Sequence, residues 1–312
     1  MVALQTEGLT KSYDGVNVVD GIDLVVPDRS VYGFLGPNGA GKTTTMKMLL
    51  GLIRPSAGSG TVLGMDITSA SEDVRRRVGY LPQEPRFYPH MTARETLAFS
   101  AGFFFSGPAS RVDARVEEML ELVGIADRAD RPIKSFSGGE MQRLGIAQAQ
   151  IHQPDLLILD EPAAALDPLG RRDVLEILGR LTERSTVFYS THILEDVQRV
   201  SDHVCILKKG RVVAQGSIDE VLTGGADTSY WATIVGDAEA ARARLLAQEW
   251  VSGVTVAEGG SRLVVSVTDT DAAEARLQRL LLADEALIVK EFKRSSIDLE
   301  SVFVDLVEGE SE

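Results

Sequence analysis

Apolar positions along this chain follow two rhythms. Up to about Gly224, short continuous apolar runs alternate with stretches in which apolar residues recur every three or four positions. The first rhythm predicts strands buried on both faces, the second helices laid against them. Residues 31–35 read as a strand entering a glycine-rich turn, and 156–159, 186–189 and 204–207 as further strands. Between Asp160 and Thr186, the residues Val174, Leu178 and Leu181 mark one helical face. Residues 86–150 lack strand patterning. Within them 95–105 and 113–123 read as helices, so a helical insertion interrupts the α/β domain.

A second unit follows a Gly-Gly-Ala-Asp stretch at 224–227. Residues 230–235 are strand-like, and Ala238, Ala241 and Leu245 share a helical face. Leu263, Val265 and Val267 alternate with Val264 and Ser266, as in a half-buried strand. Ala273, Leu277 and Leu280 mark another helix, and 287–292 another strand. The order strand–helix–strand–strand–helix–strand predicts a ferredoxin-like α+β unit, with a last helix over 299–307. The expected organisation is therefore a domain over 1–224, its helical subdomain at about 86–150, a linker at 225–229 and an accessory domain over 230–312.

Composition narrows the class. Of the 312 residues, 44% are apolar and 25% charged, enough to bury a sizeable core. The net charge of −14 argues against nucleic acid as the main partner, which needs a basic surface. Residues 227–312 hold 17 acidic and 8 basic side chains, so most of the acidity lies in the second unit, where solubility accounts for it. A single cysteine, Cys205, allows neither an intrachain disulfide nor a cysteine zinc site. No secretory signal is read at the N-terminus. The richest apolar stretch, 97–105, is far short of the roughly 20 residues a spanning helix needs.

Three motifs carry chemistry. Gly36-Pro37-Asn38-Gly39-Ala40-Gly41-Lys42-Thr43 fits the phosphate loop G-x-x-x-x-G-K-[ST], with a strand before it and a helix after. Its glycines permit a tight turn whose N–H groups face phosphate oxygens, at the positive end of a helix. Lys42 can reach the β- and γ-phosphates, and Thr43 can ligate Mg²⁺. Second, Asp160 and Glu161 close a buried apolar run. Asp160 there can hold Mg²⁺ through water, and Glu161 can orient or deprotonate an attacking water. Third, Ser135-Phe136-Ser137-Gly138-Gly139-Glu140 opens a helix, as a second anion site or as a simple cap.

With these in order, residues 1–224 resemble the nucleotide-binding domain of ABC ATPases. Gly36–Thr43, continuing into Thr44, resembles the Walker A loop, and Asp160–Glu161 closes a Walker B strand. Ser137, Gly138 and Gly139 resemble the signature that sets this family apart. The resemblance gives Gln83 the role of the Q-loop glutamine at Mg²⁺ and water, and His192 that of the switch histidine near the γ-phosphate. It makes Ala165-Leu166-Asp167 the D-loop and places Tyr13 against adenine. Two departures stand out. Phe136 and Glu140 flank the signature where leucine and glutamine are usual, and Ala165 replaces a D-loop glycine.

The resemblance implies a head-to-tail dimer of this chain with itself or a homologue. Each ATP would lie between one chain's phosphate loop and the other's signature, with ATP and Mg²⁺ as cofactors. The subtype resembles bacterial drug- and antibiotic-exporter subunits, partly through Leu299-Glu300-Ser301-Val302-Phe303. Such subunits are cytoplasmic, on the inner face of the membrane, and drive a separate permease. Phe87, Tyr88 and Phe103–Phe105 are then either permease-docking aromatics or helical-subdomain core. Soluble ABC ATPases with non-membrane partners, and regulatory subunits of low turnover, remain alternatives. His90, His152 and His203 are assigned no role.

Overall fold

The computed structural model describes residues 2–164, 166–223, 228–257, 262–283 and 287–294. The chain divides into two compact units, Met1–Ile218 and Asp219–Glu312. The Gly-rich stretch 224–227, Ala165 and the expected last helix over 299–307 lie outside the described residues.

The first unit holds two sheets. β1 (Val2–Tyr13), β2 (Val16–Pro27), β4 (Ala57–Val62) and β5 (Met65–Asp66) form an antiparallel sheet in the order β2-β1-β4-β5. The chain leaves this sheet after β2 to form β3 (Val31–Leu35) and α1 (Lys42–Leu49). The larger sheet runs β10-β9-β3-β8-β7-β6. Its members are β6 (Val78–Leu81), β7 (Leu156–Leu159), β8 (Thr186–Thr191), β9 (His203–Lys208) and β10 (Arg211–Ser217). All pairs except the β9–β10 edge are parallel. Every residue of β3, β7 and β8 is buried, which explains their unbroken apolar runs.

Helices cover this sheet: α2 (Ser71–Arg77), α6 (Pro168–Leu181) and α7 (Leu194–Val200) besides α1. From Pro82 to Asp155 the chain forms only helices and turns. α3 (Ala93–Ala101), α4 (Ala109–Leu122) and α5 (Gly138–Gln150) share a core around Leu97, Met119, Leu120 and Leu144. α3 ends at Ala101 with Gly102 at its C-cap, four residues before the expected end. Phe103–Phe105 therefore lie in a turn. Phe87 and Phe105 pack on the core, whereas Tyr88, Phe99, Phe103 and Phe104 are exposed.

α5 lies unusually close to β6. A Cβ on Gly79 would sit 2.1 Å from the Ala149 carbonyl, and one on Gly145 would meet Leu81 at 2.4 Å. Arg115, buried in α4, closes the other end of α5. It donates to the carbonyls of Gln150 and Ile151 at 2.6 and 2.9 Å and pairs with Glu118 at 2.7 Å. A cation there complements the helix dipole and satisfies carbonyls that have no intrahelical donor.

The second unit begins at α8 (Ile218–Thr223). It continues through β11 (Thr228–Val235), α9 (Ala238–Leu246), β12 (Val251–Ala257), β13 (Arg262–Val267), α10 (Thr270–Leu282) and β14 (Ile288–Arg294). Its antiparallel sheet has the order β12-β13-β11-β14, the ferredoxin-like arrangement. Leu263, Val265 and Val267 point into its core with Leu277 and Trp250. Ala273, Leu277 and Leu281 are the buried residues of α10, and Leu280 packs part-buried against the same core. Thr228 and Ser229, expected in the linker, are already strand.

Candidate nucleotide site

Parallel strands bring the C-terminal ends of β3, β6, β7 and β8 to one edge, where ligands of such sheets sit. Leu35 pairs with Thr191, Leu159 with Tyr189, and Leu81 with Leu159. The residues that follow each strand therefore converge: Gly36–Gly41, Gln83, Asp160–Glu161 and His192. Gly36 N–H donates to Thr191 at 3.2 Å, tying the loop to the end of β8. Two loop positions require glycine. Gly41 has φ +106° and Gly36 faces the Leu207 carbonyl, which an added Cβ would approach to 2.5 Å.

Lys42 opens α1 and turns back under the loop. Its Nζ donates to the carbonyls of Gly36 and Pro37 at 2.6 and 3.3 Å and lies 3.2 Å from Glu161 Oε1. Both side chains are about 95% buried, so each is the other's neutralising partner. Asp160 accepts one hydroxyl on each oxygen: Thr43 Oγ1 at 2.7 Å on Oδ2 and Ser190 Oγ at 2.6 Å on Oδ1. Half-buried Tyr80 is held neutral beside it, its phenol pushed up to about 12 by burial and by Asp160.

Glu161 has φ +51°, a left-handed backbone that side-chain-bearing residues adopt at a cost. Three neighbours fix it. Ser190 Oγ accepts its N–H at 2.9 Å, and Gln142 of α5 donates to its carbonyl at 3.4 Å. His192 Nδ1 lies 3.0 and 3.1 Å from its two carboxylate oxygens, which makes Nδ1–H the donor. Residues 37–44, Gln83, Glu161 and Val18 line one cleft of about 290 Å³. Tyr13 is absent from that lining. It ends β1 about half exposed, with Lys11 Nζ 5.0 Å from its ring centre.

Ser137 lies elsewhere. It caps α5 in a reciprocal box, Ser137 Oγ accepting Glu140 N–H at 3.2 Å and Glu140 Oε2 accepting Ser137 N–H at 2.7 Å. Asp167 caps α6, accepting Gly170 N–H at 2.9 Å. Ser137, Gly138, Gly139, Leu166 and Asp167 line a second, larger cleft with Arg128 and Arg143. Among the described residues none lines both clefts.

Sequence reasoning missed three residues here. Val18 belongs to no motif and is seated by β2 against Gly41. Ser190 carried a signal, a hydroxyl at the end of an apolar strand, two residues before His192. Gln142 carried none, since its meaning lies in a contact between α5 and the turn after β7.

A phosphate loop, an acidic strand end, a capping serine-glycine turn and a switch-like histidine in this order invite comparison with known proteins. The family model for ABC transporters matches residues 19–164. The ABC transporter ATP-binding protein YxlF of Bacillus subtilis is 38% identical, over 97% of this chain and 99% of its own length. The chain belongs to the ABC transporter ATP-binding proteins. The daunorubicin/doxorubicin resistance ATP-binding protein DrrA of Streptomyces peucetius is 35% identical, over 97% and 92% of the two chains. A solved ATP-binding subunit of an ABC transporter matches at 31% identity and TM-score 0.65, over 72% of this chain and 93% of its own. The cbiO1 structure from Clostridium perfringens, part of a transporter complex, matches at 28% identity and TM-score 0.66, over 72% and 92%. As a member of this family the chain is an ATPase, the ATP-binding subunit that powers a transporter. Among the described residues no helix is long and apolar enough to cross a membrane.

Proposed function

We propose that two such chains, or this chain and a homologue, enclose ATP between the phosphate-loop cleft of one and the signature cleft of the other. The separation of those clefts within one chain is the observation that carries the reading. A lone chain presents two half-sites that share no lining residue among the described residues. In each composite site Lys42 and the loop N–H groups hold the phosphates, and Glu161 positions and deprotonates the attacking water. His192 orients Glu161 and lies at the γ-phosphate. Ser137, Gly139 and Asp167 complete the site from across the interface.

The oxygen donors suit Mg²⁺. Thr43 Oγ1 and Asp160 Oδ2 lie together at 2.7 Å, and Gln83 lines the same cleft. Among the described residues no group of three or more His, Cys, Asp or Glu could cage a metal. Magnesium fits such a site because it takes few protein ligands and the rest from water and phosphate. Bound there, it would neutralise charge on the β- and γ-phosphates. Tyr13 stays a proposed adenine contact.

We further propose an exporter of drug-like, antibiotic or lipid-like molecules, with the chain peripheral on the cytoplasmic face of the membrane. Its relatives DrrA and the bacitracin transport ATP-binding protein BcrA of Bacillus licheniformis support this by what they handle. The exposed aromatics Tyr88, Phe99 and Phe103, close after Gln83, are the proposed seat of the permease. Phe99 and Phe103 meet edge-on at 5.1 Å, an exposed apolar ridge.

Mg-ATP hydrolysis by the purified protein and by Glu161→Gln, with size-exclusion chromatography under ATP, tests this reading. Turnover by the wild type, lost at least about 100-fold in the variant as an ATP-dependent dimer accumulates, is expected. A variant that still turns over ATP would remove Glu161 from the base role.

A further inference from the structure

The signature cleft has a charge problem. Among the described residues its charged lining comprises Asp127, Glu140, Asp167 and Asp173 against Arg128 and Arg143. A surface of net charge −2 is a poor partner for a polyphosphate. Two of the four carboxylates have work elsewhere. Asp167 is spent as the α6 cap, and Asp173 is paired with Arg143 at 2.6 Å. Asp127 lies 3.3 Å from Arg128 Nε but is mostly solvent-exposed, where water screens the pair. Glu140 is different: it is three-quarters buried and sits in the first turn of α5, beside Ser137 and Gly139.

Glu140 also stands where the family usually has a neutral glutamine. Glutamine could make the same capping bond to Ser137 N–H without bringing a charge. The chain supplies a counter-charge instead. Arg128, on the 3₁₀ turn Ala126–Arg128, places Nε between the exposed Asp127 Oδ2 at 3.3 Å and the more buried Glu140 Oε1 at 3.7 Å, while Glu140 Oε2 is occupied by Ser137 N–H.

We propose that Arg128 is a positioning residue of the composite site, neutralising Glu140 so that the signature turn accepts the γ-phosphate of ATP held by the partner chain. Arg128 and Glu140 together replace the neutral glutamine of the usual signature. The inference rests on the composite-site reading. It predicts that the arginine matters only while the glutamate is present, which a purely structural arginine would not obey.

The test uses the full chain in the Glu161→Gln background and measures the ATP concentration at half-maximal dimer formation by analytical ultracentrifugation. Arg128→Gln should raise that concentration about tenfold, and Arg128→Lys should stay within about twofold. Adding Glu140→Gln to Arg128→Gln should restore the parent value within about twofold. Melting temperatures of all variants should agree, because the pair is partly exposed. A parent dimer unaffected by Arg128→Gln, or a defect that Glu140→Gln leaves uncorrected, overturns the role of Arg128 alone. A parent that forms no dimer under ATP overturns the composite-site reading and this proposal with it.

Discussion

Ser190 shows how much of the site rests on one small hydroxyl. It donates to Asp160 and accepts from the Glu161 N–H, so it fixes the relative placement of the two acidic residues. Replacement by alanine leaves a buried carboxylate oxygen and a buried N–H each short of one partner. Ser190→Ala is expected to cost about 1–3 kcal/mol in urea denaturation and to lower kcat about tenfold, with KM for ATP changed less. At this scale the grouping of Lys42, Thr43, Asp160 and Glu161 in one site was legible in the sequence, because they belong to contiguous motifs. Their mutual geometry was not. The Lys42–Glu161 pair spans more than a hundred residues, and the left-handed backbone of Glu161 has no local sequence mark. Tyr13 was carried by resemblance alone, and it does not line the phosphate-loop cleft.

Among the elements, α5 does the most to connect the two clefts. Its first turn carries Ser137 and Gly139, and one turn later Gln142 reaches the carbonyl of Glu161. Its seating on β6 depends on Gly79, whose missing Cβ admits the Ala149 carbonyl. Gly79→Ala should therefore force the helix away and cost about 1–3 kcal/mol, read as a lowered melting temperature. At the other end, Arg115→Ala removes the donor to the buried Ile151 carbonyl and one of two donors to both the Gln150 carbonyl and Glu118. A loss of about 3 kcal/mol in urea denaturation is expected. The parallel strands were readable because burial on both faces makes them continuously apolar. The antiparallel sheet of β1, β2, β4 and β5 went unread. Register shifts break the alternation of β1, and Ala57–Val62 contains two glycines and few apolar side chains. The same weakness left β12 expected from the element order but without assigned residues, because Ser252, Gly253 and Thr255 interrupt the valines.

For the whole molecule, acid should act partly through His152, which the sequence left without a role. It stacks on Phe104 with ring centres 4.0 Å apart, and burial near Arg115 holds its imidazole down at about 4. The unfolded chain would take up this proton near pH 6.5, the folded chain only near 4. The neutral ring therefore contributes stability that is complete above about pH 6.5 and lost as pH falls towards 4. His152→Phe should flatten that part of the stability-versus-pH curve, measured by urea denaturation at a series of pH values. Two hydrophobic rhythms pointed to an α/β unit followed by an α+β unit, and the motifs alone made the first an ATPase. The division at Ile218 falls at the head of α8, where no change of rhythm announces it.

The central claim is that catalysis needs two chains, because one chain's clefts are each half of a site. Specific ATPase activity as a function of protein concentration tests it most directly, with oligomeric state followed by analytical ultracentrifugation at saturating Mg-ATP. Turnover per chain should rise with concentration and level off as the dimer fills. Full turnover per chain, constant down to concentrations at which only monomer sediments, would contradict the account.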